Sequence, residues 1–209
     1  MITKIKSDIT KWTKKYPQWK QVTSCFLADQ DISSEDETVI DEFITIIMTI
    51  CDAIKEEKCS IEEVTELFPE EFQADINKKL RNHLRPYFDC TVIRKNELTN
   101  RTQLEYFIDE LWQQRIVRRN PSYQIDAEKC DKLSVSVEEI DKFTVTLTAI
   151  VDHCISRLYN FEAMVDILCD RTGISQEFSE YIARRIERDN ETLRINFIIK
   201  NLTNLSIKR

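Results

Sequence analysis

Only one glycine, Gly173, occurs in the 209 residues of this chain, together with four prolines. Sandwiches, barrels and α/β folds use glycine in tight turns and phosphate-binding loops, so its scarcity argues against all three classes. The chain is 42% hydrophobic and 32% charged, which is enough apolar material for a core and too much for wholesale disorder. The composition therefore predicts an all-α protein.

Apolar residues recur at helical spacing along most of the chain. The two clearest stripes are Val39, Ile40, Phe43, Ile46, Ile47, Ile50, Cys51 and Ile54, and then Leu104, Phe107, Ile108, Leu111, Trp112 and Ile116. A capping box pairs a serine with a glutamate three residues later, and Ser34, Ser60 and Ser136 each have this spacing. Pro86 predicts that the preceding helix stops near Arg85.

The second half of the chain repeats the pattern of the first. At a constant offset of 100, Ile40, Asp41, Phe43, Ile50, Asp52 and Glu62 recur as Ile140, Asp141, Phe143, Ile150, Asp152 and Glu162. After a six-residue insertion the match resumes at an offset of 106, where Phe72 becomes Phe178. The insertion contains Gly173, which we expect to end one helix in the left-handed conformation before Ser175 caps the next. These matches predict a structural duplication.

We therefore expect two related helical bundles in tandem, with about nine to eleven helices in all. A basic aromatic N-terminal segment covers residues 1–32, and the first bundle covers 33–119. Residues 120–133 lack periodicity and are the predicted linker. The second bundle covers 134–209.

We also expect neither membrane-spanning nor targeting segments from the sequence. No stretch approaches the roughly 18 uncharged apolar residues of a membrane span, and no transmembrane segment is expected. The first residues lack the apolar core of a signal peptide. Seven cysteines without an export signal predict free thiols in a reducing, cytoplasmic environment.

No pattern in the chain predicts catalysis. No two cysteines have zinc-ligand spacing, and His83 or His153 would complete a site only with distant cysteines, so neither a metal ion nor a cofactor is expected. Adjacent glutamates fall in helix ends, where capping explains them. Phosphate-binding, dinucleotide-binding, zinc-protease and serine-hydrolase motifs do not occur. We predict no enzymatic activity and no small-molecule substrate.

Charge is distributed unevenly, and this points to protein partners. Met1–Lys20 carries six lysines and one aspartate, a net charge of +5, whereas Asp29–Glu71 carries fifteen acids and two lysines, a net charge of −13. Such faces are either solvated helix surfaces or surfaces that steer protein association. The predicted function is a non-catalytic protein–protein interaction module, a subunit or adaptor of an intracellular assembly.

The N-terminal segment supplies the first candidate binding residues. Two tryptophans, Trp12 and Trp19, lie among lysines that include Lys14 and Lys15. Tryptophan is enriched at binding hot spots, so we predict that this segment tethers the chain to a partner. Two alternatives are that it lies on anionic lipid, or that it folds back onto the first bundle, whose acids would compete for its lysines.

Two basic clusters supply the other candidates, and they occupy equivalent places in the two repeats. The first contains Lys78, Lys79 and Arg81, and the second contains Arg184 and Arg185. Cations near a helix end also complement its dipole, which is the simplest interpretation. Acidic protein segments, lipid headgroups or RNA are the functional alternatives. The alternative function is an RNA-associated regulatory protein that uses both clusters.

One segment resembles a known family. Ser60–Leu84 contains Leu67-Phe68-Pro69-Glu70-Glu71-Phe72, and the second repeat has the counterpart Gly173-Ile174-Ser175-Gln176-Glu177-Phe178. Both are similar to turns in the N-terminal helical domain of the COMM domain (COMMD) proteins. The resemblance implies a non-enzymatic adaptor of an endosomal recycling assembly.

The chain departs from that family after the helices. Family members pair through a C-terminal β-containing domain that opens with a tryptophan-bearing strand, but Trp112 here has helical spacing. From the residues that follow the second repeat, we expect no such domain in this chain. The resemblance therefore implies a tandem of helical domains without the family's usual pairing element.

Overall fold

α-Helices make up the structure, a computed structural model that describes residues 1–117, 122–157 and 159–188, with backbone alone at 115–117. The described residues contain no strand, which confirms the all-α fold class. The chain divides into two compact units, Met1–Arg85 and Pro86–Arg209.

The helices of the first unit follow in short succession. They are α1 (Ile2–Lys15), α2 (Trp19–Leu27), α3 (Glu37–Lys55), α4 (Ile61–Thr65) and α5 (Glu70–Asp89), the last of which continues past the end of the unit. A 3₁₀ turn, Ser34–Asp36, leads into α3.

The described part of the second unit is also built from helices. Its helices are α6 (Thr91–Thr99), α7 (Arg101–Leu111), α8 (Ala127–Lys132), α9 (Val137–Arg157), α10 (Phe161–Thr172) and α11 (residues 176–188). A π-helical turn, Trp112–Val117, follows α7 directly. The described residues thus hold ten complete helices and the described part of an eleventh, in agreement with the predicted number.

Each unit has its own apolar core, built from the stripes seen in the sequence. In the first unit Phe43 lies at the centre, and α1 contributes Ile5, Ile9 and Trp12 to the same cluster. In the second unit the central ring is Phe143, and α6 and α7 supply residues of the cluster such as Ile93 and Leu104. Burial of these stripes is the main favourable contribution to folding.

The units do not begin and end where the sequence predicted. Residues 1–32 are not a separate segment, because α1 and α2 contribute to the first core. The α6 and α7 helices, assigned to the first bundle, pack in the second core instead. The predicted linker 120–133 contains α8, whose Cys130 is buried, while residues 120 and 121 lie outside the described residues. An amphipathic stripe predicts that a helix is buried but not which neighbour buries it.

Two of the three predicted capping boxes are confirmed. Glu63 N–H donates to Ser60 Oγ at 3.1 Å, and Ser60 N–H donates to the Glu63 carboxylate at 2.7 Å. The equivalent pair of bonds joins Ser136 and Glu139. The box at Ser34 is wrong, because Ser34 lies inside the 3₁₀ turn, where it cannot be the N-cap of α3.

Two predictions about helix ends had opposite outcomes. Gly173 does end α10 in the left-handed conformation, with φ of 67°, and Ser175 Oγ accepts from Phe178 N–H at 3.1 Å as expected. The predicted stop at Arg85 is wrong, because α5 contains Pro86 and runs on to Asp89. The last turn is held by a contact that the sequence did not reveal, since Thr146 Oγ1 donates to the Asp89 carboxylate at 2.9 Å.

The predicted duplication fits the order of the helices. The α3, α4 and α5 helices follow one another as α9, α10 and α11 do. The paired rings Phe43 and Phe143 are buried, and so are Phe72 and Phe178. The structural equivalence of the two halves remains a prediction.

The buried ring of Phe178 gives a direct test of this core. It is 0% exposed, whereas Phe88 is 48% exposed. We expect Phe178→Ala to lower the free energy of unfolding by about 3–5 kcal/mol, because it removes a ring and leaves a cavity. Phe72→Ala should have a similar effect in the first unit. Phe88→Ala is the control and should change the stability by roughly 0.5 kcal/mol or less. Equal effects of Phe178→Ala and Phe88→Ala in urea denaturation would contradict the core assignment.

Candidate interaction surface

Trp12, the first predicted anchor, lies inside the first unit. Its side chain is only 3% exposed, and its ring stacks on Phe43 with centroids 4.7 Å apart. The indole Nε1–H donates to the carbonyl oxygen of Val39 at 3.0 Å. The ring's apolar face and its polar group are both satisfied within the fold, so Trp12 cannot serve as a free anchor.

Trp19 and the neighbouring lysines also turn toward the first unit. The half-buried ring of Trp19 meets Trp12 and Phe72 edge-on, at centroid distances of 6.1 and 5.8 Å. Lys15 Nζ lies 2.7 Å from the Glu42 carboxylate, and Lys20 Nζ lies 2.8 Å from that of Glu71. The segment therefore folds back on its own acids, which was the alternative to the tether.

This arrangement bears on two interpretations of the N-terminal segment. The position of Trp12 in the core, with Trp19 partly buried against it, counts against the tether. The lipid-binding alternative is disfavoured as well. The apolar face of α1 consists of Ile5, Ile9 and Trp12, which are buried and cannot contact lipid. Lys14 remains exposed on the opposite side of α1.

The first basic cluster is largely paired with acids of the same unit. Lys79 Nζ bonds the Asp29 carboxylate and also donates to the Phe26 carbonyl oxygen at 3.2 Å. Arg81 pairs with the Glu62 carboxylate. Lys78 is exposed beside them. Two of the three predicted cations therefore join helices of their own unit.

The second basic cluster is similar. Arg185 pairs with the Asp109 carboxylate of α7, while Arg184 points outward and lies 3.7 Å from Glu180 on its own helix. The Tyr181 hydroxyl also donates to Asp109, and it lies 3.2 Å from the carbonyl oxygen of Glu105. Arg185 and Tyr181 thus hold α11 against α7.

The polar groups in these contacts have shifted pKa values. Burial, and then the hydrogen bond to Asp109, raises the pKa of Tyr181 to about 12. In the first unit the hydrogen bond from Lys15, and then that from Tyr16, lowers the pKa of Glu42. The same bond to Glu42 raises the pKa of Lys15. Each shift favours the protonation state that makes the observed contact.

A groove of about 410 Å³, which we call the α1–α3 groove, opens on the first unit. Its apolar lining residues are Ile5 and Trp12, which are both buried, and the half-buried Ile46. The α1 wall carries Asp8, Lys11 and Lys15, and the α3 wall carries Glu42, Thr45 and Thr49.

A second groove, which we call the α7–α8 groove, opens on the second unit and also has a volume of about 410 Å³. The buried side chains of Phe107 and Leu133 lie beneath it, and Lys132 is at its edge. Tyr106 stands beside them and is 75% exposed. Sequence analysis missed Tyr106, although its position off the apolar stripe of α7 could have indicated an outward ring.

Groups that could support other chemistry are not assembled into a metal site among the described residues. All seven cysteines are free thiols, and burial raises the pKa of Cys90 to about 12. In the parts of the chain that the structure describes, no three His, Cys, Asp or Glu side chains are grouped to hold a metal ion. No helix within the same described residues has both the length and the apolar character that crossing a bilayer requires.

Comparison with known proteins found no matching family model, no matching curated protein and no matching solved structure. The resemblance to the COMM domain family stays a prediction from the residues that carry it.

Replacement of Trp12 tests whether the N-terminal segment is structural. We expect Trp12→Ala to lower the free energy of unfolding by about 3–5 kcal/mol, since it removes a buried ring and the partner of Phe43. The matched control is Lys14→Ala in the same helix, which should change it by about 0.5 kcal/mol or less. Thermal denaturation followed by circular dichroism measures both. An unchanged midpoint for Trp12→Ala would restore the tether interpretation.

The raised pKa of Tyr181 predicts a loss of stability in alkali. The folded-state value of about 12 lies above the unfolded value of about 10, so the folded state holds the proton more tightly. The resulting stabilisation is complete below about pH 10 and disappears as the pH rises toward about 12.

The variant Tyr181→Phe cannot ionise and should lose less stability over that interval than the wild type. Tyr159→Phe, at a more exposed tyrosine, is the control and should follow the wild type. Urea denaturation at a series of alkaline pH values measures the difference. The same pH slope for wild type and Tyr181→Phe would refute the assignment.

Proposed function

We propose that this chain is a non-catalytic protein–protein interaction module, a subunit or adaptor of an intracellular multiprotein assembly. The observation that carries the proposal is the exposure of Tyr106 at the α7–α8 groove. An exposed tyrosine adds little to folding, because its ring is not removed from water. At an interface the same ring buries a large rigid surface and keeps a hydroxyl for hydrogen bonding.

The surroundings of Tyr106 support a protein as the partner. The exposed apolar surface is the ring of Tyr106, above the buried Phe107 and Leu133, while Lys132 and the ion pair between Lys129 and Glu110 supply charged neighbours. An apolar centre surrounded by polar groups is the common anatomy of protein interfaces.

The pairing of the basic clusters counts against the RNA-associated alternative. Lys79, Arg81 and Arg185 are each bonded to a carboxylate of their own unit. A phosphate backbone would have to displace those carboxylates, because affinity for RNA depends on cations that are free to neutralise phosphates. Lys78 and Arg184 are the exposed members that remain.

The resemblance of Ser60–Leu84 to the COMM domain family supports an adaptor rather than an enzyme. The seven free thiols are in keeping with a reducing compartment, and we propose the cytoplasm. The adaptor role and the cytoplasmic location are both parts of the proposal.

The test is purification of the tagged full-length chain from its native cells, with and without nuclease treatment. We expect one or more proteins to remain in fixed stoichiometry after nuclease. Co-purification of RNA, with loss of the proteins on nuclease treatment, would favour the alternative function. Elution of the chain alone would overturn the proposal.

Substitution of Tyr106 identifies the surface. We expect Tyr106→Ser to reduce partner retention by about tenfold, because hot-spot tyrosines contribute more than about 1 kcal/mol, and to leave the thermal midpoint unchanged. The matched control is Tyr159→Ser, the same change at another exposed tyrosine of the second unit. Equal retention by the two variants would remove Tyr106 from the interface.

A further inference from the structure

Two strongly exposed apolar side chains occur close together in the second unit. Leu98 of α6 is 88% exposed and Tyr106 of α7 is 75% exposed. No other large apolar side chain among the described residues exceeds 51%. Apolar residues that reach the surface singly are normal, but neighbouring ones with this exposure indicate a contact surface.

Both side chains point away from the same core. Ile93 of α6 and Leu104 of α7 belong to one buried cluster. At about 100° per residue, Leu98 is turned about 140° from Ile93, and Tyr106 about 160° from Leu104. The two exposed residues are eight positions apart, so the chain between them spans at most about 12 Å at 1.5 Å per helical residue. They can therefore contact one partner element together.

The acids around these two side chains are already used within the unit. All four carboxylates of α6 and α7 accept a bond from another group: Glu97 from Ser175 N–H, Glu105 from Arg101, Asp109 from Arg185 and Glu110 from Lys129. The exposed acids of α8, Glu128 and Asp131, do not line the α7–α8 groove.

Two lysines beside the apolar pair are not balanced in this way. Lys95 lies three residues before Leu98, and residues at this spacing are neighbours on a helix surface. Lys132 lines the α7–α8 groove together with Tyr106. Both lysines are exposed, and neither has an ion-pair partner among the described residues. We call these four residues the Leu98–Tyr106 surface, and its net charge is positive.

From this combination we infer that the Leu98–Tyr106 surface binds an amphipathic helix of a partner protein whose apolar stripe is bordered by carboxylates. The apolar side chains of that helix cover Leu98 and Tyr106, and its carboxylates approach Lys95 and Lys132. The inference rests on the proposed function and adds the chemistry of the partner at the Tyr106 surface.

A helix fits the surface better than other partner segments do. Two turns of a helix span about 11 Å, which is close to the separation of the two apolar side chains. An added strand would need a sheet edge, and the described residues contain no strand. A proline-rich segment or single-stranded RNA would need several exposed rings, and Tyr106 is the exposed ring beside the α7–α8 groove.

A second copy of the chain is a poor occupant for an electrostatic reason. A symmetric pair brings the same patch of both copies together, so that Lys95 and Lys132 would meet only lysines. The carboxylates of α6 and α7 are bonded within their own unit and cannot compensate them. Like charges at an interface disfavour association.

The test is a fluorescence anisotropy titration of labelled synthetic helices with the full-length chain. The probe is a peptide of about 18 residues, with leucines at helical spacing and glutamates along both borders of the leucine stripe. The matched control peptide has the same leucines and carries lysines in place of the glutamates. We expect the acidic peptide to bind at least about tenfold more tightly, and salt to weaken its binding.

Charge reversals in the protein test the electrostatic part. We expect Lys95→Glu and Lys132→Glu each to weaken binding of the acidic peptide by about tenfold or more. Lys14→Glu makes the same change at an exposed lysine of the first unit and should have little effect.

Replacement of an exposed apolar side chain tests the other part. We expect Leu98→Ser to weaken binding of the acidic peptide by about tenfold and to leave the thermal midpoint unchanged, because Leu98 is 88% exposed. Val145→Ser, at an exposed apolar residue of α9, is the control and should bind the peptide like the wild type. The lysine variants decide the matter if Leu98→Ser alters folding.

Each contrary outcome overturns the inference. These outcomes are equal binding of the two peptides, preference for the basic peptide, equal effects of Lys95→Glu and Lys14→Glu, and a dimer in sedimentation that Leu98→Ser dissociates while neither peptide binds. If co-purifying proteins depend on Tyr106 and the acidic peptide is not preferred, the inference fails and the proposed function stands. Elution of the chain alone from native cells, with selective binding of the acidic peptide, would overturn the proposed function alone.

Discussion

The stacking of Trp12 on Phe43 is the contact on which the architecture of the first unit depends. With centroids 4.7 Å apart, and with the indole N–H bonded to the Val39 carbonyl oxygen, it holds α1 along the first half of α3. The same placement brings Lys15 to Glu42 and leaves the groove between the two helices. The basic aromatic segment therefore has a structural role. Only the residues that remain exposed after packing can contact a partner.

Charge pairing explains much of the uneven distribution along the chain. Acids and bases that are far apart in sequence meet across helices of one unit, as Lys79 meets Asp29 and Arg185 meets Asp109. The exposed pairs, such as Arg81 with Glu62, add little to stability, but every pair decides which charges remain for a partner. A cluster that looks strongly basic in the sequence, such as Lys78 to Arg81, then presents Lys78 together with an exposed Arg81 whose charge is paired with Glu62. Sequence charge thus overstates the potential of both basic clusters.

Features that depend on neighbouring residues could be predicted from the sequence. The capping box at Ser60 and the left-handed Gly173 follow from local backbone requirements, and the structure has both. The continuation of α5 through Pro86 could not be predicted, because Thr146, far along the chain, holds its last turn. The same limit applies to the candidate site. The lysines of α1 were visible as a basic run, but only the structure shows that Lys11 lines the groove and that Lys14 does not.

The boundaries of the two units, as the structure has them, change which helices would belong to each copy of the proposed duplication. In each unit the three-helix set with the central phenylalanine is covered by helices that precede it in the chain, α1 and α2 before α3, and α6 to α8 before α9. One preceding helix in each unit buries residues at the same spacing of four and then three, namely Ile5, Ile9 and Trp12 in α1 and Leu104, Ile108 and Leu111 in α7. A three-helix set presents an apolar face that it cannot bury alone. A repeating element that folds independently must therefore include its preceding helix. The division predicted from the sequence, between residues 119 and 134, would instead have separated α7 from the core in which it is buried.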